Sequence, residues 1–574
     1  MSMEKRERLE QHVDGVAGLQ KRKMSAIEIA FMIYCMTAAG AFGVETMIPS
    51  CGPGLTIVML VVLPIVWAIP ICLSVSELSA FMPEESGMYV WTKDAFGELW
   101  GFCMGWWGSL SGYLGMASYV VLAVGYAQKF INMSPTMVIV VKVAMVLIFT
   151  AVNLLGMKEV SVISTIFSIV ILAAFALVTV VGFANWNYNP IVPFTPEGQG
   201  IIDSIGLGIC IGIWMYTGYG AMSNMTGEIA TQVLPKGFKI AIPIIALSYV
   251  LPTIAGLASV GDWQLWGVDT GSGSVDYASV LTQNLGPAWG IAFLICAIVS
   301  QCAIFNSFIT AGSRSFFVLG NDDLCPRFLT KLSKNRKVPY WPILILAAFT
   351  LVLMNLDFSI LLTITCPLGL LCYIVLAFVF IKLRKKYPLE KRGDVYHVKG
   401  GKPIALYMVI CPIIVGIVGL YVNGTEYFLV GFVSIFSGIV AYVLFKWLYG
   451  GLSNSDPERY PLNARTHLAK GDISRAGYFL LLFGILMFVG SLFLTWYEGS
   501  WGEAYYQETY GTGLMSDFWL MLKIARYGGA VVTILGGMLL GIGKKKDPII
   551  EIPPKDFDIE RPEPSTAAGG GRQS

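Results

Sequence analysis

Long apolar runs, each close to the length a bilayer requires and each bounded by charge or glycine, repeat along the whole chain. A membrane-crossing helix needs roughly 20 such residues. About fourteen runs qualify, at 25–50, 53–78, 97–127, 135–155, 160–183, 201–230, 238–261, 286–319, 340–356, 358–383, 403–422, 426–449, 475–496 and 520–541. Tyr89 to Gly97 reads as an interfacial amphipathic turn leading into the third run. Two runs are interrupted, the first by Gly40-Ala41-Phe42-Gly43-Val44-Glu45 and the sixth by Trp214-Met215-Tyr216-Thr217-Gly218-Tyr219-Gly220. Unwound backbone in a bilayer has no lipid partner for its N–H and C=O groups, so it persists only where protein, water or a solute satisfies it. The interrupted runs lie five helices apart. That spacing predicts two five-helix repeats of inverted topology, about 25–183 and 201–383, with runs eleven and twelve peripheral. The expected fold is an all-α polytopic membrane protein: a five-plus-five inverted-repeat helix bundle with additional peripheral helices.

The polar stretches divide the chain further. Residues 1–24 form an N-terminal segment, 25–450 a twelve-span core, 451–474 a polar linker, 475–541 an additional two-helix hairpin and 542–574 a tail expected to be disordered. The outer connections 184–200, 262–285, 423–425 and 497–519 contain no Lys or Arg, while the opposite connections are rich in both. This asymmetry places both termini in the cytosol and requires an even number of spans. Trp263, Trp266, Trp496 and Trp501 in the outer connections are expected interface anchors.

Composition agrees with the pattern. Hydrophobic residues make up 55% and charged residues 13% of the chain; a soluble protein carries about 25% charge. A net charge of +2 leaves no footprint for nucleic acid. The cysteines are scattered singly, and the only histidines, His12, His397 and His467, lie in expected cytosolic segments. Neither metal ligation nor a cofactor is indicated, no catalytic motif supports an enzyme, and no pattern sets an oligomeric state.

Each interruption creates a helix C-terminus with free carbonyls and a helix N-terminus with free N–H groups and about half a positive charge. The first suits an ammonium group or a sodium ion, and the second a carboxylate. An amino acid zwitterion offers both partners. Candidate substrate contacts are therefore Gly40, Ala41, Phe42 and Gly43 in the first break, and Trp214, Tyr216, Thr217, Gly218, Tyr219 and Gly220 in the second. Trp107 and Tyr113 in the third run are candidate pocket walls.

The quoted breaks resemble those of the amino acid–polyamine–organocation transporter family. So do Leu63-Pro64-Ile65-Val66-Trp67-Ala68-Ile69-Pro70, Ser76-Glu77-Leu78-Ser79 and Pro83-Glu84-Glu85-Ser86-Gly87-Met88-Tyr89-Val90-Trp91. The resemblance covers roughly residues 25–450 and is most similar to the polyamine:proton symporter branch. It implies the five-plus-five (LeuT-like) fold and a secondary transporter. There are departures. Ser86 replaces the first glycine of the family's pair, and Gly220 and Gly115 stand where plant-type polyamine carriers resemble the chain but place acids. Ile171 stands where the family often has a lysine. Tyr216-Thr217-Gly218-Tyr219 resembles the break of the family's amino acid carriers instead.

Acids inside a membrane are functional candidates by default. Glu45, just past the first break, is a candidate proton carrier or amine counter-ion, or simply an acid favoured by the half-helix dipole. Glu77 and Glu228, near cytosolic span ends, are candidate gate residues, with Arg314 as a possible partner. Lys142, inside the fourth run, is expected to snorkel outward. The expected function is secondary active transport of amino acids or related amines across the plasma membrane by alternating access, coupled to H+ or Na+ or run as exchange. A polyamine importer and a non-transporting amino acid sensor are the alternatives.

Overall fold

The computed structural model describes residue 19 and residues 23–229, 233–267, 274–356, 358–393 and 395–555. In chain order its helices are α1 (Ala26–Thr37), α2 (Val44–Cys51), α3 (Pro53–Phe81), α4 (Gly87–Phe96), α5 (Glu98–Gln128), α6 (Pro135–Leu155), α7 (Met157–Ala184) and α8 (Ile201–Met215). A 3-10 segment, Tyr219–Glu228, follows. Then come α9 (Leu234–Ser259), α10 (Tyr277–Leu285), α11 (Pro287–Asn321), α12 (Tyr340–Leu353), α13 (Phe358–Lys386), α14 (Gly401–Val422), α15 (Thr425–Tyr449), α16 (Asp472–Tyr497), α17 (Gly502–Tyr510) and α18 (Phe518–Lys546). Eleven of the described helices are long and apolar enough to cross a membrane. The other three expected crossings fall on shorter pieces: α1 with α2, α8 with the 3-10 segment, and α12.

Local chemistry sets the ends of these elements. The Ser25 hydroxyl accepts from the Glu28 N–H at 3.2 Å while Glu28 accepts from the Ser25 N–H at 2.8 Å, a capping box that starts α1. After Thr37 the chain leaves the helix through Ala39 at φ +39° and Gly40 at φ +101°. Gly43, at φ +102°, opens α2. Pro64 cannot donate inside α3, and a π-helical turn over Pro64–Ala68 absorbs the missing bond. The interfacial turn expected at Tyr89 is instead the full helix α4. α10 and α17 add short helices within connections read as loops. Trp266 is buried against Tyr277, with ring centroids 5.4 Å apart, and so is a packing residue and not an interface anchor.

The core runs through α1, α3, α5, α7, α9, α11 and α13 and continues into α14 and α15, which add Met408, Phe428, Phe432 and Tyr442 to it. One end of the bundle, here the basic end, is stitched by ion pairs. Glu77, fully buried, accepts from Arg384 at 2.5 and 2.8 Å and from Arg392 at 3.0 Å. Lys446 and Glu98, both at 0% side-chain exposure, meet at 2.8 Å. Asp94 joins Lys386 to Arg459, and Lys93 pairs with Asp322.

The added hairpin, α16 with α18, packs at backbone range. A side-chain carbon at Gly477, Gly484 or Gly536 would lie 2.3–2.6 Å from atoms of the facing helix. Along α18 the glycines at 529, 536 and 543 recur every seven residues on that seam. The linker 451–474 is folded onto the basic end. The tail, expected to be disordered from residue 542, is ordered through Lys555. Asp547 accepts from the Ile473 N–H at 3.1 Å and from Asn463 at 3.0 Å, and the Lys555 N–H donates to the Tyr387 hydroxyl at 2.8 Å. Residues 556–574, and all of the N-terminal segment before Lys23 except Leu19, lie outside the described residues.

Candidate functional site

The two interrupted helices touch. A side-chain carbon at Gly218 would lie 2.1 Å from the Met36 carbonyl oxygen, so only glycine lets the second break approach the last turn of α1. The second break is a tight turn: the Tyr216 N–H donates to Ile213 O at 3.0 Å and the Thr217 N–H to Trp214 O at 3.2 Å. Three of its other groups are held by tyrosines from neighbouring helices. The Tyr373 hydroxyl, on α13, accepts from the Gly220 N–H at 3.1 Å and donates to Thr217 O at 3.2 Å. The Tyr249 hydroxyl, on α9, lies 2.8 Å from Met215 O and 3.3 Å from Thr37 O, reaching the carbonyl ends of both breaks.

Beside this junction is a cavity of about 130 Å³. α1 supplies Met36 and Thr37, and the break supplies Trp214, Thr217, Gly218 and Gly220. α5 contributes a stripe of small residues, Gly105, Gly108, Gly112 and Gly115, and α13 contributes Gly369 and Tyr373. Ser86, Met88 and Tyr89 close it toward the basic end. At the other end the Trp214 ring stacks on Tyr119 at 5.9 Å and meets the edge of Phe358 at 5.8 Å. Among the described lining residues there is no Asp, Glu, Lys, Arg or His. The Thr37 hydroxyl is buried, lines the cavity and has no hydrogen-bond partner among the described residues.

The expected contacts divide into two groups. Trp214, Thr217, Gly218 and Gly220 line the cavity. The others face elsewhere. Ala39 O accepts from the Ser300 hydroxyl, and a side chain at Gly40 would collide with Phe175 at 2.2 Å. Ala41 is buried without lining the cavity, and Phe42 packs on Phe175, Tyr126 and Phe293 at 4.9, 5.3 and 5.6 Å. The Gly43 N–H donates to Glu45 Oε2 at 2.8 Å. Glu45 itself is buried beside the Lys129–Asp276 ion pair, off the cavity. The Tyr216 hydroxyl donates to Leu60 O at 2.9 Å, and Tyr219 packs toward Phe238 at 6.3 Å. Tyr113 stacks on Phe316 at 4.8 Å just behind the wall. Trp107 points away from the cavity, donating to Ile435 O at 3.1 Å and stacking on Phe479 of α16 at 5.7 Å.

Glu228 and Arg314 form a buried pair at 2.9 Å, while Glu77 takes its partners from α13 and the segment after it. Lys142 donates to Met354 O at 2.8 Å, at the C-terminal end of α12. Gly115 and Gly220, the positions where plant-type carriers place acids, both face the cavity. At Gly220 a side-chain carbon would lie 2.7 Å from the Tyr373 hydroxyl, which therefore fills the space an aspartate would use.

A family profile described as amino acid permease matches residues 25–446. The chain belongs to the amino acid permease family. The protein is thus a multi-pass membrane transporter, and the interrupted-helix junction is its candidate transport site. It is similar to the polyamine transporter RMV1 of Arabidopsis thaliana, 26% identical over 433 residues, covering 73% of this chain and 85% of that one. It is also similar to the polyamine transporter PUT1 of Oryza sativa subsp. japonica, 26% identical over 336 residues, covering 56% and 60%. The branched-chain amino acid permease BcaP of Bacillus subtilis (strain 168) is 25% identical over 354 residues, covering 56% and 71%.

Tyr249 and Tyr373 were not anticipated from the sequence, because a tyrosine inside an apolar run carries no periodic mark. The face of α5 had one. Its glycines recur every three or four residues, the spacing of a helix stripe that admits a close neighbour. That stripe excludes Trp107.

Proposed function

We propose that the permease is a secondary active transporter that moves a neutral amino acid, or a closely related amine, across the plasma membrane by alternating access. In this reading the chain crosses fourteen times as an inverted five-plus-five repeat with its basic end in the cytosol. The observation that carries it is the junction of two interrupted helices beside a cavity with no charged side chain among the described lining residues. A zwitterion's two charges are answered by peptide groups and the Thr37 hydroxyl, and its apolar side chain by Met36, Met104, Ile213 and Leu370. A polyamine carries several separated positive charges. Burying each without a counter-charge is costly, so such a solute fits less well.

The polyamine reading is favoured by one observation, the similarity to two plant polyamine transporters. Glu45 lies off the cavity, where its carboxyl accepts from the Gly43 N–H at the start of α2.

The test is competition in liposomes containing the purified protein. Leucine, alanine, arginine and putrescine compete against a labelled amino acid at two pH values, with and without sodium. Neutral apolar amino acids are expected to compete best. Putrescine outcompeting them would transfer the assignment to polyamines, and binding without uptake would favour a sensor. Glu45→Gln is expected to leave the pH dependence of uptake in place; its loss would make Glu45 a proton carrier.

A further inference from the structure

The loop between α3 and α4 separates two cavities. Ser86 lines the central one, while Glu84 and Glu85 line a second cavity of about 240 Å³ at the basic end. The loop is fastened to the second interrupted helix: the Ser86 N–H donates to Asn224 O at 3.3 Å, and the Thr226 hydroxyl donates to Glu84 O at 2.5 Å. Between these bonds Glu85 is driven inward. It is 1% exposed, and its carboxyl has no side-chain hydrogen-bond partner among the described residues, meeting only the backbone N–H groups of Gly227 and Glu228. A side-chain carbon at Gly227 would lie 2.8 Å from its Oε1, so glycine there makes room for the carboxyl.

The groups facing Glu85 are known on each side. The 3-10 segment brings Glu228 and α11 brings Arg314, already paired with each other at 2.9 Å. The second cavity brings Lys93 paired with Asp322, Asp94 paired with Arg459, and Asp456. From the tail comes Lys555, paired with Glu84 at 2.7 Å.

We propose that Glu85 is a proton-binding latch on the basic-end gate. With its proton on, it is a neutral group packed against a completed ion pair, and the loop stays seated. When the proton passes to water in the second cavity, the resulting carboxylate competes with Glu228 for Arg314. The α3–α4 loop then parts from the 3-10 segment. Burial, and then the neighbouring Glu228 charge, push the Glu85 carboxyl well above its usual range. A raised carboxyl pKa in the seated state means that state is favoured while the proton is on. It loses ground as pH climbs above the ordinary carboxylate value, near 4.3. The open-to-seated ratio then gains at most about tenfold per pH unit.

This inference rests on the transport reading for its purpose but not for its test. Hydrogen exchange of the amides in 82–97 and 219–229, corrected for intrinsic rates, is measured from pH 5.5 to 8.5 on the purified full chain without substrate. Exchange in both segments is expected to rise with pH in the wild type and to stay flat and slow in Glu85→Gln, while Glu85→Asp retains the rise. A Glu85→Gln variant that keeps the wild-type rise overturns the proposal, as does a wild type with no rise. In proteoliposomes, Glu85→Gln is expected to bind substrate normally but to lose several-fold in uptake rate and its dependence on the pH of the basic side. A wild type that takes up neither amino acids nor amines would sink the transport reading and leave the exchange result standing.

Discussion

Glycine does opposite work in two regions of this molecule. At the interrupted helices it lets the backbone bend out of a helix: Gly40 and Gly43 sit at φ +101° and +102°, and Gly218 admits a carbonyl from the other break. In the α16–α18 hairpin the glycines remain helical and let two unbroken rods lie against each other. The first arrangement leaves polar backbone that Tyr249 and Tyr373 satisfy in part. The second leaves none, because each helix satisfies itself. A transport site requires the first, and a stable attachment the second. The hairpin is fixed to the core at three levels. Phe479 and Phe483 pack on Trp100 and Trp107, Asp472 bonds Tyr442, and Glu498 accepts from the Thr425 hydroxyl at 2.6 Å.

Four substitutions test this division, the largest effect first. Gly218→Val pushes a side chain into the Met36 carbonyl and is expected to lower uptake at least about a hundredfold, as a displaced binding group does. Surface biotinylation or detergent size-exclusion would show the protein still made and folded. Normal uptake by this variant would mean the breaks need not meet. Lys446→Met strands Glu98 in the interior and is expected to cost about 3–5 kcal/mol of stability, read as a fall in the melting temperature in detergent. Restoring neutrality with Glu98→Gln in the same chain should recover part of that loss. Gly536→Leu overfills the hairpin seam at a cost of about 1–3 kcal/mol, with uptake per folded molecule unchanged. A loss of uptake beyond the loss of folded protein would give the hairpin a part in transport. Tyr373→Phe removes the hydroxyl shared by Gly220 and Thr217 and is expected to raise KM several-fold, about 1 kcal/mol, with little change in maximal rate.

The all-helical, multi-pass character was legible from the residues, since long apolar runs and glycine-rich interruptions are properties of consecutive positions. The second break was legible for the same reason, and Trp214, Thr217, Gly218 and Gly220 do line the cavity. The first break lies where the sequence puts it, but Gly40, Ala41, Phe42 and Gly43 do not line the cavity. Gly40 and Phe42 turn into the packing of Phe175, and the cavity-lining residues of α1 are Met36 and Thr37, one turn earlier. A bend in the chain does not announce which way it faces. Trp107 shows the same limit on a continuous helix: the glycine stripe of α5 faces the cavity, while Trp107 and Trp100 face the hairpin. Glu85 was hidden for another reason. In sequence it is one acid in a polar loop, and only the fold makes it a buried one.

The ordered stretch from Asp547 to Lys555 has a practical consequence. It leaves the last helix, crosses the basic end and is anchored on Tyr387 and Glu84, the latter the immediate neighbour of Glu85. A shortened version ending at residue 546, or a reporter spliced in at that point, would cut a tether to the moving loop and not trim an idle end. Such a version is expected to turn over substrate at an altered rate, so tags belong beyond residue 555.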